Sequence, residues 1–163
     1  MMNFCNRCAG PLCYEIPEGD NRKRNVCQEC GDIHYQNPKV IVGCIPVWQG
    51  KILLCRRNIE PKFGLWTLPA GFLEVGETMA EGALRETYEE SLAEVELKEL
   101  FGLYDIPHIG QVYSIYLARM TSEKFGITPE SSEVRLFSPE DIPWDDIAFD
   151  VIKSALQEYI ERS

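Results

Sequence analysis

The 163-residue sequence has no long hydrophobic run. Its longest apolar stretch, Val40 to Trp48, is broken by Gly43 and Pro46 and is too short to cross a bilayer. Met1-Met2-Asn3-Phe4-Cys5 lacks a basic segment leading into an apolar one, so no secretory signal is expected and a cytoplasmic location follows. Basic residues are also few: 16 Lys and Arg stand against 26 Asp and Glu, a formal charge of −10. Phosphate-backbone binding rests on clustered Lys and Arg, so nucleic acid is not expected as the main partner, and no membrane partner is expected either. Internal repeats and low-complexity tracts are absent. An even cysteine count is lacking too: the seven cysteines do not pair off, which points to a reducing compartment rather than a disulfide scaffold.

What is present begins with those cysteines. Cys5-x2-Cys8 and Cys27-x2-Cys30 are two knuckles, each able to set two thiolates on one tight turn. Together they complete a tetrahedral Zn2+ site with no position left for water or substrate, hence a structural staple. Gly10 and Gly31 follow the second cysteine of each knuckle, where the backbone must turn sharply. Tyr14-Glu15-Ile16-Pro17 and Arg24-Asn25-Val26 flank a hairpin around Glu18-Gly19-Asp20. A segment this short could not bury a sufficient core without a metal. Cys13, Cys44 and Cys55 have no paired spacing, and the last two read as core residues. The expected division is a ribbon over residues 1–36 and a second domain over 37–163, with Asn37-Pro38 at the boundary.

Val40 to Ile45 and Lys51 to Arg56 read as neighbouring strands joined at Gln49-Gly50. A Pro- and Gly-rich stretch from Pro61 to Gly76 follows. Thr78 and Glu81 then have capping-box spacing and open a helix expected to reach about Ser91. Val95 to Tyr104, Val112 to Met120 and Val134 to Phe137 read as strands. Ala148 to Arg162 places apolar residues at helical spacing. The intermixed order predicts an α/β fold with a mixed sheet packed between helices.

Glu86, Glu89 and Glu90 lie three and four residues apart, so their carboxylates leave the helix on one side. Such a face is commonly just solvated, but it also suits Mg2+, which takes carboxylate oxygens together with substrate phosphates. The wider pattern, Gly71-x5-Glu77-x7-Arg85-Glu86-x2-Glu89-Glu90, resembles the Nudix box, Gly-x5-Glu-x7-Arg-Glu-U-x-Glu-Glu-x-Gly-U, with U a bulky aliphatic residue. Six fixed positions match by chance on the order of once in ten million starts. Two positions depart. Thr87 stands at the first U, and Leu92 stands at the final glycine, so the chain is expected to leave this helix differently from the family pattern.

The resemblance runs from about residue 38 to the end and implies a Nudix α/β/α sandwich with a mixed sheet. With a four-cysteine ribbon in front, it is similar to a subgroup described as ADP-ribose or FAD pyrophosphatases. It implies Mg2+ (or Mn2+) on Glu86 and Glu90, Glu89 on a second ion or a bound water, and the Ala70 carbonyl completing the shell. Gly71, Glu77 and Arg85 are structural in the box, Arg85 holding the loop by pairing with Glu77. The base is either a box glutamate or an acid on a later loop, where Glu130 and Glu133 stand before a strand, with Glu133 preferred. Arg56 and Arg57 are candidates to meet phosphates, although strand neighbours point oppositely and one of them faces solvent. Phe63, Trp66, Phe72 and Tyr104 are candidates to stack on adenine, with Trp66 and Phe72 preferred. His108 is read as a loop residue.

The expected activity is Mg2+-dependent hydrolysis of a nucleoside diphosphate linked to another moiety, ADP-ribose or FAD first, releasing AMP, in a homodimer acting on a small nucleotide. NADH pyrophosphatases also join a four-cysteine ribbon to a Nudix domain. Their signature Ser-Gln-Pro-Trp-Pro-Phe-Pro is missing from Leu103 to Tyr113, which leaves NADH or nucleoside triphosphate hydrolysis as the alternative. A non-enzymatic alternative is a zinc-ribbon nucleic-acid module, for which Arg22-Lys23-Arg24 is the one short basic patch.

Overall fold

The computed structural model describes residues 3–163; Met1 and Met2, part of the stretch inspected for a leader, lie outside the described residues. The chain divides into two compact units, one ending at Asn37 and one from Pro38 to Ser163.

The first unit is a three-stranded antiparallel sheet of β1 (Leu12–Glu15), β2 (Arg24–Cys27) and β3 (Ile33–His34), in that order. β1 and β2 form the expected hairpin, with Leu12 opposite Cys27 and Glu15 opposite Arg24. The turns of the two knuckles differ. Gly31 takes a left-handed φ of 73°, but in the first knuckle Ala9, not Gly10, does so with φ 61°. Gly10 is small for another reason: a Cβ there would press against the Glu29 side chain.

The second unit is built on a seven-stranded mixed sheet. Its strands are β4 (Lys39–Trp48), β5 (Lys51–Arg57), β6 (Trp66–Thr67), β7 (Ala70–Phe72), β8 (Val95–Ile106), β9 (Gln111–Met120) and β10 (Ser131–Phe137). The main path runs β10-β5-β4-β9-β8, with β4 parallel to β9 and every other pair antiparallel. Gln49 and Gly50, both at positive φ, make the β4–β5 turn. β4 and β5 pair only next to that turn, at Val47–Ile52 and Trp48–Lys51; farther along, β7 pairs with β4 and β6 with β5. The sheet therefore opens between its two central strands.

Alternation along β4 assigns the two faces. Val42 and Cys44 pack with Ala83 of helix α1 (Met79–Ser91). Ile41 and Ile45 pack with Ile152, Ala155 and Leu156 of helix α2 (Asp150–Arg162). These two helices on opposite faces make the sandwich. Ile45, Ile52, Leu54, Ile152 and Leu156 are fully buried on the α2 side, each worth roughly 1.5–3 kcal/mol against exposure.

α1 begins as its capping residues dictate. The Glu81 N–H donates to Thr78 Oγ1 at 3.2 Å, and the Thr78 N–H donates to Glu81 Oε2 at 2.8 Å. Its end corrects the sequence reading. Leu92 itself adopts the left-handed conformation, φ 57°, and its N–H reaches the Tyr88 carbonyl at 2.7 Å, so the chain leaves the helix in the conformation glycine normally supplies. The exit is held from outside: the Gly126 N–H donates to the Ser91 carbonyl at 2.7 Å. No helix among the described residues is long and apolar enough to cross a membrane.

Candidate functional site

In the first unit, the two knuckles bring Cys5, Cys8, Cys27 and Cys30 together, with every Sγ within 4.8 Å of the others. Cys5 and Cys30 are 3.8 Å apart and Cys8 and Cys27 are 3.4 Å apart. A tetrahedron of 2.3 Å metal–sulfur bonds separates its sulfurs by about 3.8 Å. Backbone N–H groups of Arg7, Gly10 and Cys30 point at Cys5, Cys8 and Cys27, at 3.3, 3.4 and 3.5 Å. The Cys30 N–H stabilises the Cys27 thiolate and brings that thiol down to about 7. Four converging soft donors fit a thiolate-binding metal and match a zinc ribbon.

In the second unit, the acidic face of α1 meets a cleft of about 1010 Å³. Arg85 organises that face. Its Nε and Nη2 grip both oxygens of Glu77, and its Nη1 donates to Glu86 at 2.6 Å and Glu89 at 3.0 Å. Nη2 also donates to the Phe72 carbonyl at 3.1 Å, fastening β7 to the helix. The guanidinium holds Glu77 down at about 2. Gly71 is required where it stands, because a Cβ would collide with the Glu86 carboxylate.

Glu90 is turned inward and is only 6% exposed. Its Oε2 accepts from the Ala70 N–H at 3.0 Å, and burial pushes its carboxyl up to about 8. Burial also raises Glu86, against the opposing pull of Arg85. Glu130, on the loop before β10, also lines the cleft and disfavours ionisation of Glu86 and Glu90 through its charge. That loop is pinned to the end of β5: the Asn58 N–H donates to the Glu130 carbonyl at 2.8 Å, and Asn58 Nδ2 to the Pro129 carbonyl at 3.0 Å.

Hard oxygen donors crowded in a partly desolvated cleft fit a divalent cation. Among the described residues, the ligand atoms of Glu86, Glu89 and Glu90 do not all come within 4.8 Å of one another, unlike the cysteines. Arg85 lies between Glu86 and Glu89, and Glu90 faces Ala70. Arg85, by its bonds to Glu86 and Glu89, and Arg57, by its charge on Glu90, counter this acidic end.

The sequence candidates separate cleanly. Arg57 lines the cleft; its Nε donates to the Pro61 carbonyl at 2.8 Å, and its guanidinium lies 5.2 Å from the centre of the Phe149 ring. Arg56 points away, donating to the Gly64 carbonyl and pairing with Glu133 at 3.5 Å. Glu133 is thus spoken for outside the cleft, whereas Glu130 lines it. Trp66 is 7% exposed and packs edge-on against Phe137 at 4.9 Å, in the core and not in the cleft. Phe72 and Tyr104 line the cleft, and so does His108; Phe63 does not. Ala70 and Gly71 line it as well.

Sequence reasoning missed most of the floor. Pairing aligns Phe72 with Ile41, Ile41 with Tyr113, and Tyr113 with Tyr104, so one row across β7, β4, β9 and β8 paves the cleft. Phe149, Val151 and Ser154, at the start of α2, close over it. Period-two alternation marks each of these strand residues as facing one side, but only the register shows that they are neighbours.

The NUDIX domain family matches residues 37–155, and the Nudix N-terminal family matches residues 3–36. The crystal structure of a NUDIX hydrolase from Nitrosomonas europaea superposes with a TM-score of 0.95 at 53% identity, covering 99% of this chain and 92% of that one. An ADP-ribose pyrophosphatase of Methanocaldococcus jannaschii is 33% identical over 120 residues, 71% of this chain and 70% of that protein. The NAD-capped RNA hydrolase NudC of Chromobacterium violaceum is 34% identical over 149 residues, 88% of this chain but only 50% of that protein, so the chain spans about half its length. With its box helix, mixed-sheet sandwich and four-cysteine ribbon, this chain belongs to the Nudix hydrolase family.

Proposed function

We propose that the protein hydrolyses the diphosphate linkage of a nucleotide joined to a second moiety, ADP-ribose or FAD foremost, and releases AMP. The convergence of Glu86, Glu89, Glu90 and Glu130 on one cleft, facing Arg57, carries this reading. Glu86 and Glu90 would hold Mg2+ or Mn2+, with Glu89 and the Ala70 carbonyl completing the ligand set. Such ions, when bound, neutralise the diphosphate and lower the pKa of water. Arg57 holds a phosphate oxygen, its fork anchored by Pro61 and Phe149. Glu130 takes the proton from the attacking water, a role it is better placed for than Glu133, which is tied to Arg56. Glu77 and Arg85 brace β7 against α1 and keep the carboxylates in place. The four cysteines hold Zn2+ as a structural staple, and the working form is a cytoplasmic homodimer.

A second reading, hydrolysis at an NAD-type diphosphate, is favoured by the likeness to the NAD-capped RNA hydrolase. A panel of ADP-ribose, FAD, NADH, dinucleoside polyphosphates and nucleoside triphosphates, ranked by kcat/KM with Mg2+, decides between them. ADP-ribose or FAD should lead. Nucleoside triphosphates running more than about tenfold ahead of both would overturn the substrate assignment.

A further inference from the structure

At the end of the cleft floor, Tyr104 is held in a way that nothing in the box requires. β8 is irregular between Leu100 and Gly102, and the Tyr104 ring lies back over Gly102, where a Cβ would stand 2.9 Å from the ring's Cε2, Cζ and hydroxyl oxygen. The hydroxyl donates to Glu158 Oε2, on α2, at 2.6 Å. Arg162, one turn on, donates to the other oxygen of Glu158. Arg162 is itself seated on β8: its guanidinium lies 4.6 Å from the centre of the Phe101 ring, and Nη1 donates to the Phe101 carbonyl at 3.5 Å. The ring is thereby fixed at both ends, over a residue with no side chain and under a tether from the last turn of the chain.

A half-buried tyrosine so fixed costs less to immobilise when a ligand arrives than a free one. Beside it in the same row, Tyr113 and Ile41, both largely buried, continue the lining of the cleft. A held aromatic ring and phosphate-binding chemistry in one cleft suit a substrate with an aromatic ring at one end and a diphosphate at the other. Resting on the diphosphate hydrolase reading above, we propose that Tyr104 stacks on the aromatic base of the nucleotide, and that Glu158 is a positioning residue that sets the Tyr104 ring for it. Burial and the Glu158 carboxylate both keep the hydroxyl protonated, as a donor must be.

The test is calorimetric binding of AMP and of ribose 5-phosphate, which lacks the base, to the full chain. Tyr104→Ala should weaken AMP by about tenfold while leaving ribose 5-phosphate within about twofold, since stacking on one side chain is worth that much. Tyr104→Phe keeps the ring and loses the tether, so its AMP affinity should fall about threefold. Glu158→Leu should match Tyr104→Phe, and Glu158→Gln, which keeps an acceptor, should restore AMP binding; thermal midpoints confirm folding of each. Wild-type AMP affinity in Tyr104→Ala, or equal losses for both ligands, would overturn the stacking role. Equal AMP affinity in Glu158→Leu and wild type would overturn the positioning role. Turnover of any diphosphate substrate is read separately, so the hydrolase reading stands or falls on its own measurement.

Discussion

Arg85 meets Glu77 with two parallel bonds, Nε to Oε1 at 2.6 Å and Nη2 to Oε2 at 2.9 Å. Glu77 titrates at about 2 in the folded chain against an ordinary 4.5. A depressed carboxyl contributes stability that is present above 4.5 and is lost as pH falls toward 2. The thermal midpoint of Glu77→Gln should therefore lie below that of the wild type near about pH 6, with the gap closing toward about pH 3. A gap that is the same at both ends would show that the pair adds no charge-dependent stability.

Glu90→Gln separates chemistry from stability. The amide oxygen can still accept the Ala70 N–H, but the side chain can no longer ionise to meet a cation. Turnover should drop by about a hundredfold or more, the size of a lost charge interaction in the transition state. The midpoint of the metal-free protein should rise near about pH 7, because burial holds the wild-type carboxyl up at about 8 and a raised carboxyl loses stability as pH climbs above its unfolded value. Near-normal turnover at saturating Mg2+ would remove Glu90 from the metal site.

The two adjacent arginines should behave differently. Arg57→Ala should cost about tenfold in kcat/KM, as expected for a charged contact to phosphate, and Arg56→Ala should stay within about twofold. Steady-state kinetics on one substrate checks both. Equal losses would mean that cleft lining does not distinguish them.

Cys27→Ser should release the metal and disorder the residues before Asn37, because metal-binding energy is folding energy in so small a unit. Elemental analysis should find about one zinc per wild-type chain, in keeping with a four-thiolate site. Dispersed amide signals from the ribbon in a metal-free sample would contradict the staple.

Leu92→Gly should stabilise. A left-handed non-glycine residue costs roughly 1–2 kcal/mol, and the added freedom of glycine in the unfolded chain offsets about 0.5–1. The net gain corresponds to a rise of about 2 °C in the midpoint at this size, read by calorimetry. No rise would mean that the Leu92 contact near Gly126 outweighs the backbone strain.

Features set by local spacing were legible in the sequence. Thr78 and Glu81 cap α1 as their spacing implied, and the cysteine knuckles converge because each closes within four residues. The five longer strands were recognisable from short apolar runs, although β4 runs past Pro46 to Trp48 and β10 begins at Ser131, where polar residues hid the pairing; β6 and β7 were lost in the Pro- and Gly-rich stretch. Leu92 could not be read, since its left-handed exit depends on Gly126 holding Ser91 from a distant loop. Trp66 was indistinguishable from a stacking residue, because large aromatics serve core and ligand alike, and only Phe137 across the core decides which. Phe72 and Tyr104 were candidates, but the row through Ile41 and Tyr113 that joins them was invisible for a different reason: it depends on three strand registers at once.

The parallel pairing of β4 with β9 also dictates an order of assembly on the ribosome. Lys39 finds Gln111 and Val47 finds Arg119 only after the chain has been made that far, whereas the ribbon's last ligand, Cys30, emerges long before. The metal-binding unit can close while β4 waits, flanked by β5 and β7 but with its edge toward β9 still unpaired. Non-local pairing of this kind is slow and leaves apolar surface exposed meanwhile. Nascent chains stalled before Gln111 would carry a finished ribbon and an unfinished, adhesive sheet, and the cleft floor would come into existence in one step as β9 docks.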